Sequence, residues 1–199
     1  MNKRDHVLNG VLLSIGTGVL LGIAPSIGLA AAERTLPTEP VGAAVGVLEQ
    51  VVRFFVPVVL GALFPDVDTA FGKHRKTLHN VFVLGVFLAY PALFGNLHFV
   101  WIGVVTHLVL DMAGSARGVA LFYPLSPREF SLPGGVPVSS KWATPLTVGI
   151  TAAELVVMAL VHYYVVPLDA NVATVQRTML GALVGGVGQY TRTPSKRPS

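Results

Sequence analysis

No cysteine occurs in the 199 residues of this chain. That absence excludes disulfides, thiolate metal sites and thiol nucleophiles. Charge is also scarce: Asp, Glu, Lys and Arg make up 12% of the residues, about half the usual share of a soluble domain, which is near 25%. Apolar residues account for 52%, so the composition points to a bilayer. The formal charge is +4, but the basic residues are spread through loops and termini. No basic patch argues for nucleic acid as a partner, and membrane topology explains the distribution better.

The apolar residues fall in runs at about 8–32, 41–64, 78–94, 97–112 and 147–168, with a weaker run at 172–190. A helix crossing the bilayer needs about 20 apolar residues. The expected fold is therefore an all-α, polytopic transmembrane bundle of five to six spans, forming one domain over 1–190 with a disordered tail at 191–199. Phe94-Gly95-Asn96 splits the third and fourth runs, which read as a tight helical hairpin. Residues 113–146 read as a long loop rich in Gly, Pro and Ser. Lys3 and Arg4 ahead of the first run, with Ala30-Ala31-Ala32 after it, also fit a signal peptide, but the run is long and further spans follow.

The placement of lysine and arginine tests this scheme. With the N-terminus in the cytoplasm, Lys3, Arg4, Lys73, Arg75, Lys76, Arg117, Arg128, Lys141, Arg192, Lys196 and Arg197 all fall inside. Only Arg34 and Arg177 fall outside, and Arg53 lies within the second span. This is the asymmetry expected of a membrane protein with its N-terminus in.

The same scheme sorts the titratable groups. His6, Asp66, Asp68, His74, His79, His107 and Asp111 come from distant parts of the sequence, yet all fall at the cytoplasmic face. His98 and His162 fall at the opposite one. Imidazole and carboxylate are the donors that hold zinc and similar ions, and ionisable groups near membrane depth are costly enough to imply function. His107 and Asp111 stand one helical turn apart on one face. Pro65 ends the second span, and an extended Asp66-Val67-Asp68 is expected to turn both carboxylates to one side. Taken singly, each of these residues is most simply an interfacial polar group. Asp5 and Glu129 are expected to be solvated, Glu49 and Arg53 to pair along one helix, and Glu154 to be structural. Convergence of the seven on one face makes a metal site the better reading.

The order of motifs is a further guide. A His near the N-terminus is followed by Leu63-Phe64-Pro65-Asp66-Val67-Asp68, then by His74-Arg75 and His79. After these come His107-x-x-x-Asp111 and a loop ending Leu121-Phe122-Tyr123-Pro124-Leu125-Ser126. Over roughly residues 1–131 this resembles the YdjM-type inner-membrane metal-dependent hydrolases. Asn80 stands where that family commonly has Ser, and Lys76-Thr77-Leu78 departs from its usual Gly-x-Thr; neither change removes a ligand candidate. The family in turn is similar to zinc-dependent phospholipase C in its His-x-x-x-Asp pair.

The resemblance implies an integral protein of the prokaryotic inner membrane with a metal site; a His/Asp donor set without thiols favours zinc above manganese or iron, and seven donors suffice for one ion or two. The seven residues are the expected ligands, and Asp68 and Arg75 the expected catalytic groups. The Arg75 guanidinium suits an anionic phosphate, and Lys73, Lys76 and Arg117 would attract the same charge. A site at the headgroup layer points to membrane lipid as partner and a lipid phosphate as substrate. The rival readings are a non-catalytic scaffold with a structural metal and a cation or proton transporter.

Overall fold

The computed structural model describes residues 3–23, 40–114, 118–133, 135–137 and 139–164. Within them the chain is helical: α1 (Lys3–Ile23), α2 (Pro40–Leu63), α3 (Val81–Phe94), α4 (Val100–Ala113) and α5 (Ala143–Tyr164), with a 3-10 turn at Pro65–Ala70 after α2. The sixth apolar run, the tail, the Ala30–Ala32 segment, Arg34, Arg117 and Arg177 lie outside the described residues.

Local sequence sets the boundaries. Pro65 cannot donate a backbone hydrogen bond and tightens the end of α2 into the 3-10 turn. Asn80 Oδ1 accepts from the backbone N–H groups of Phe82 and Val83 and so starts α3. Its Nδ2 donates to the carbonyls of Lys76 and Thr77, tying the preceding loop to the helix. Gly95 ends α3 in the left-handed conformation, φ 72°, which glycine adopts at no steric cost.

Residue pairings give the helix directions. Phe54 meets Phe99, Val58 meets Gly103 and Ala62 meets His107, a constant offset, so α2 and α4 run parallel. Gly10 packs on Ala62 and Gly18 on Val51, so α1 runs against α2. Asn9 meets Thr151 and Thr17 meets Met158, so α5 runs with α1. Gly61 and Gly103 permit the closest approach: a Cβ at either would fall on the backbone of the other helix, at the carbonyl oxygens of Val100 and Val58. Leu13, Leu21, Phe54, Val58, Phe99 and Ile102 fill the core between these helices.

Among the described residues, two helical segments, Val41–Ala70 and Ala143–His162, are long and apolar enough to cross a membrane. Their outer faces carry exposed aliphatic side chains, among them Leu48, Val52, Val56, Val156 and Leu160. At 14 residues each, α3 and α4 are only about 21 Å long, less than a hydrocarbon core of about 30 Å.

The described residues of the loop after α4 are bonded to their neighbours. Val119 bridges Phe130, Val81 N–H donates to Leu121 O, and Ala120 N–H donates to Arg75 O. Glu129 is exposed, with its Oε1 3.0 Å from Lys76 Nζ in a surface ion pair. Asp5 is not solvated: the first turn of α1 is packed into the bundle end and buries it to 2% exposure. Glu154 Oε2 accepts from Asn9 Nδ2 at 2.7 Å, and the Arg53 guanidinium lies over the Phe99 ring at 5.2 Å.

Candidate metal centre

All seven candidate ligands meet at one end of the bundle, where α1, α3 and α5 begin and α2 and α4 finish. His6 comes from the first turn of α1, Asp66 and Asp68 from the 3-10 turn, and His74 and His79 from the loop before α3. His107 and Asp111 come from the last two turns of α4. Six of the seven are buried, and only His74 is substantially exposed. His98 and His162 lie at the far end of the bundle, since α1 and α5 run in the same direction. His98 is bonded there to Gly95 O.

The Asp66-Val67-Asp68 segment is a 3-10 turn and not the extended dipeptide that alternation predicts. In a helical turn residues two apart point in different directions, so the carboxylates separate. Asp66 Oδ1 faces the imidazoles, 3.7 Å from His79 Nε2 and 3.8 Å from His107 Nε2. Asp68 stands behind them. His74 Nδ1 donates to its Oδ1 and His79 Nδ1 to its Oδ2, both at 3.0 Å, and Leu78 N–H also donates to Oδ2.

Hydrogen bonding fixes the tautomers. His107 Nδ1 is 2.6 Å from the carbonyl oxygen of Ala62; a carbonyl only accepts, so the proton is on Nδ1. Asp68 likewise holds the proton of His79 on Nδ1. With a proton on each Nδ1 and none on either Nε2, the His79 and His107 Nε2 lone pairs would face each other at 3.0 Å. Two lone pairs at that distance repel unless a proton or a metal ion lies between them.

Asp111 completes the group. Its Oδ2 is 3.5 Å from His79 Nε2 and 3.8 Å from His107 Nε2. His79, His107 and Asp111 thus present donor atoms 3.0–3.8 Å apart, and Asp66 Oδ1 stands at a similar distance from both imidazoles. Zinc bonds of about 2.0–2.2 Å place tetrahedral ligand atoms about 3.3–3.6 Å apart, so the His79–His107–Asp111 triad suits an ion of that size. His6 stacks on His107, with ring centroids 3.8 Å apart. Its Nε2 is 3.2 Å from Asp111 Oδ1, in a geometry that makes no hydrogen bond for either buried ring nitrogen. His6, Asp66 and His107 also bring one donor atom each within 4.8 Å of one another, as do Asp66, His74 and His79.

The sequence profile of the YdjM inner membrane protein family matches residues 1–187. The chain belongs to the YdjM family. Neither a curated protein nor a solved structure matches it. Membership in an inner-membrane family agrees with the two long apolar helices. In this YdjM chain the buried His and Asp groups can hold a metal ion.

Arg75 borders the same centre. Its Nη2 is 3.6 Å from Asp111 Oδ1, and its backbone has φ 64°, a conformation that non-glycine residues adopt at a cost. The Ala120 N–H···O=C Arg75 bond helps hold it there. Sequence reasoning missed two contributors. The Ala62 carbonyl leaves no trace in the sequence because every residue has one. Asn80, read as a replacement for Ser, is the cap that orders the His74–His79 loop.

Proposed function

We propose that this chain is a multi-pass inner-membrane protein whose cytoplasmic centre binds a divalent cation, zinc by preference, and hydrolyses a phosphoester such as a lipid phosphate. The observation that carries the proposal is the pair of Nε2 atoms turned toward each other by protons fixed on Nδ1. The alternating helix directions support the five-to-six-span scheme, with α1, α3 and α5 running outward. Reporter fusions after Arg75 and Arg128 should then read cytoplasmic and one after Asn96 external. A cytoplasmic reading at Asn96 contradicts the α3–α4 hairpin crossing.

The residues divide by role. Asp66, His79, His107 and Asp111 supply the donor atoms, with His6 beside them. Asp68 acts through His74 and His79, holding their rings by Nδ1, so it is a positioning carboxylate and not a group that meets substrate. A divalent ion held here would polarise a phosphoryl oxygen and lower the pKa of bound water to about 7. Arg75, fixed at the rim, offers a forked donor to an anionic phosphate.

Asp68→Asn should weaken metal binding by about 10–100-fold, the usual effect of losing an orienting partner, because an amide accepts less strongly from both imidazoles. Equilibrium metal titration of the purified protein reads this directly. Wild-type affinity in Asp68→Asn would remove the positioning role. The reaction itself is tested by incubating the metal-loaded protein with a panel of phosphomonoesters and phosphodiesters, including lipid phosphates. If it cleaves none of them, the non-catalytic scaffold is the better reading.

A further inference from the structure

The segments at the centre's end of the bundle expose large apolar side chains beside Thr69, His74 and Glu129, where a water-facing loop is normally polar throughout. In the 3-10 turn the two carboxylates point inward, while Val67 between them is 49% exposed and Phe71 just after them 67% exposed. The segment after α4 repeats the pattern, with Phe122 at 46% and Leu125 at 80%. The two segments form one cap, joined by Ala120 N–H to Arg75 O, Val81 N–H to Leu121 O, and the Lys76–Glu129 ion pair. Lys73 and Arg128 stand exposed among the apolar residues.

Apolar side chains mixed with basic ones are what sits stably at the boundary between headgroups and acyl chains. There the apolar groups leave water, and the cations snorkel toward phosphate. We propose that the outer face of this cap lies in the headgroup layer of an anionic leaflet. The inference rests on the membrane placement proposed above and not on the hydrolase reading.

The lack of native cysteine permits nitroxide labels at single introduced sites, Phe71→Cys and Leu125→Cys, in the full-length protein. Each is reconstituted in vesicles of phosphatidylcholine with phosphatidylglycerol, and its contact with molecular oxygen and a water-soluble nickel chelate is measured. Val86→Cys, on the exposed side of α3, gives the acyl-chain reference, and a free nitroxide in buffer gives the aqueous one. Headgroup placement predicts chelate contact severalfold below the free nitroxide at both cap sites. It also predicts weaker exclusion in pure phosphatidylcholine, where Lys73 and Arg128 lose their counter-charge. Chelate contact equal to that of the free nitroxide at both sites overturns the proposal. Exclusion unchanged by removing phosphatidylglycerol overturns its anionic-lipid part. Where a labelled variant lacks wild-type helical circular dichroism, Val67→Cys or Phe122→Cys carries the same test. The readout needs no turnover, so exclusion in a protein that cleaves no phosphoester would retain the cap placement and remove only the hydrolase reading.

Discussion

His79→Ala and His107→Ala should each release the bound metal, lowering affinity by well over the factor of about 10–100 that follows loss of an orienting partner alone. Each change removes one of the two Nε2 donors that face each other at 3.0 Å. It also leaves the remaining imidazole without the counterpart that its fixed tautomer requires. His98→Ala and His162→Ala, at the opposite end of the bundle, should leave metal content at the wild-type level. Because His79 and His107 are fully buried, helical circular dichroism of each variant is compared with the wild type to separate ligand loss from misfolding. Equal loss from both pairs would mean that the effect is general instability. His74→Ala should fall between, since His74 is partly exposed and is bonded through Nδ1 to Asp68.

The second large effect concerns Arg75. A guanidinium stays protonated and cannot ligate a cation, so Arg75→Ala should retain the metal while losing turnover. Removing one preorganised donor to a developing anion costs about 10²–10³ in kcat, and a comparable loss is expected here. Arg75→Lys should recover only part, because an ammonium lacks the fork that grips two oxygens. Parallel loss of metal in Arg75→Ala would instead assign the residue to holding Asp111, whose Oδ1 lies 3.6 Å from its Nη2. Full activity of Arg75→Ala on every phosphoester that the wild type cleaves would remove the substrate role altogether.

These expectations draw on parts of the sequence that were unequally informative. Helices were visible because long apolar runs in a chain with 12% charge leave few other solutions. The ligand candidates stood out for the same reason: His and Asp are conspicuous where charge is rare, and the alternating scheme collected seven of them at one face. The division of labour among them was not visible. Asp66 and Asp68 look equivalent in the sequence, and only the 3-10 turn, imposed by Pro65 at the end of α2, sends one toward the imidazole Nε2 atoms and the other behind the rings. The hydrogen bond from His107 Nδ1 to Ala62 O depends on the close approach of α2 and α4 at Gly61 and Gly103. That approach is a tertiary event with no local signature. The segment after α4 read as a long loop because it is rich in Gly, Pro and Ser, and its described residues do form one. The backbone bonds that join it to Arg75 and Val81 are tertiary contacts that pattern reasoning does not reach.

Whether the facing imidazoles hold a metal ion is read by X-ray absorption at the metal edge of the purified, lipid-reconstituted wild type. A stoichiometric divalent ion is expected, with nitrogen and oxygen neighbours only, at about 2.0–2.2 Å. The outer-shell scattering of more than one imidazole should be present, and it should diminish in His107→Ala. A protein that binds no divalent ion after loading, or one whose bound ion shows no imidazole scattering, would contradict metal binding by the facing imidazoles.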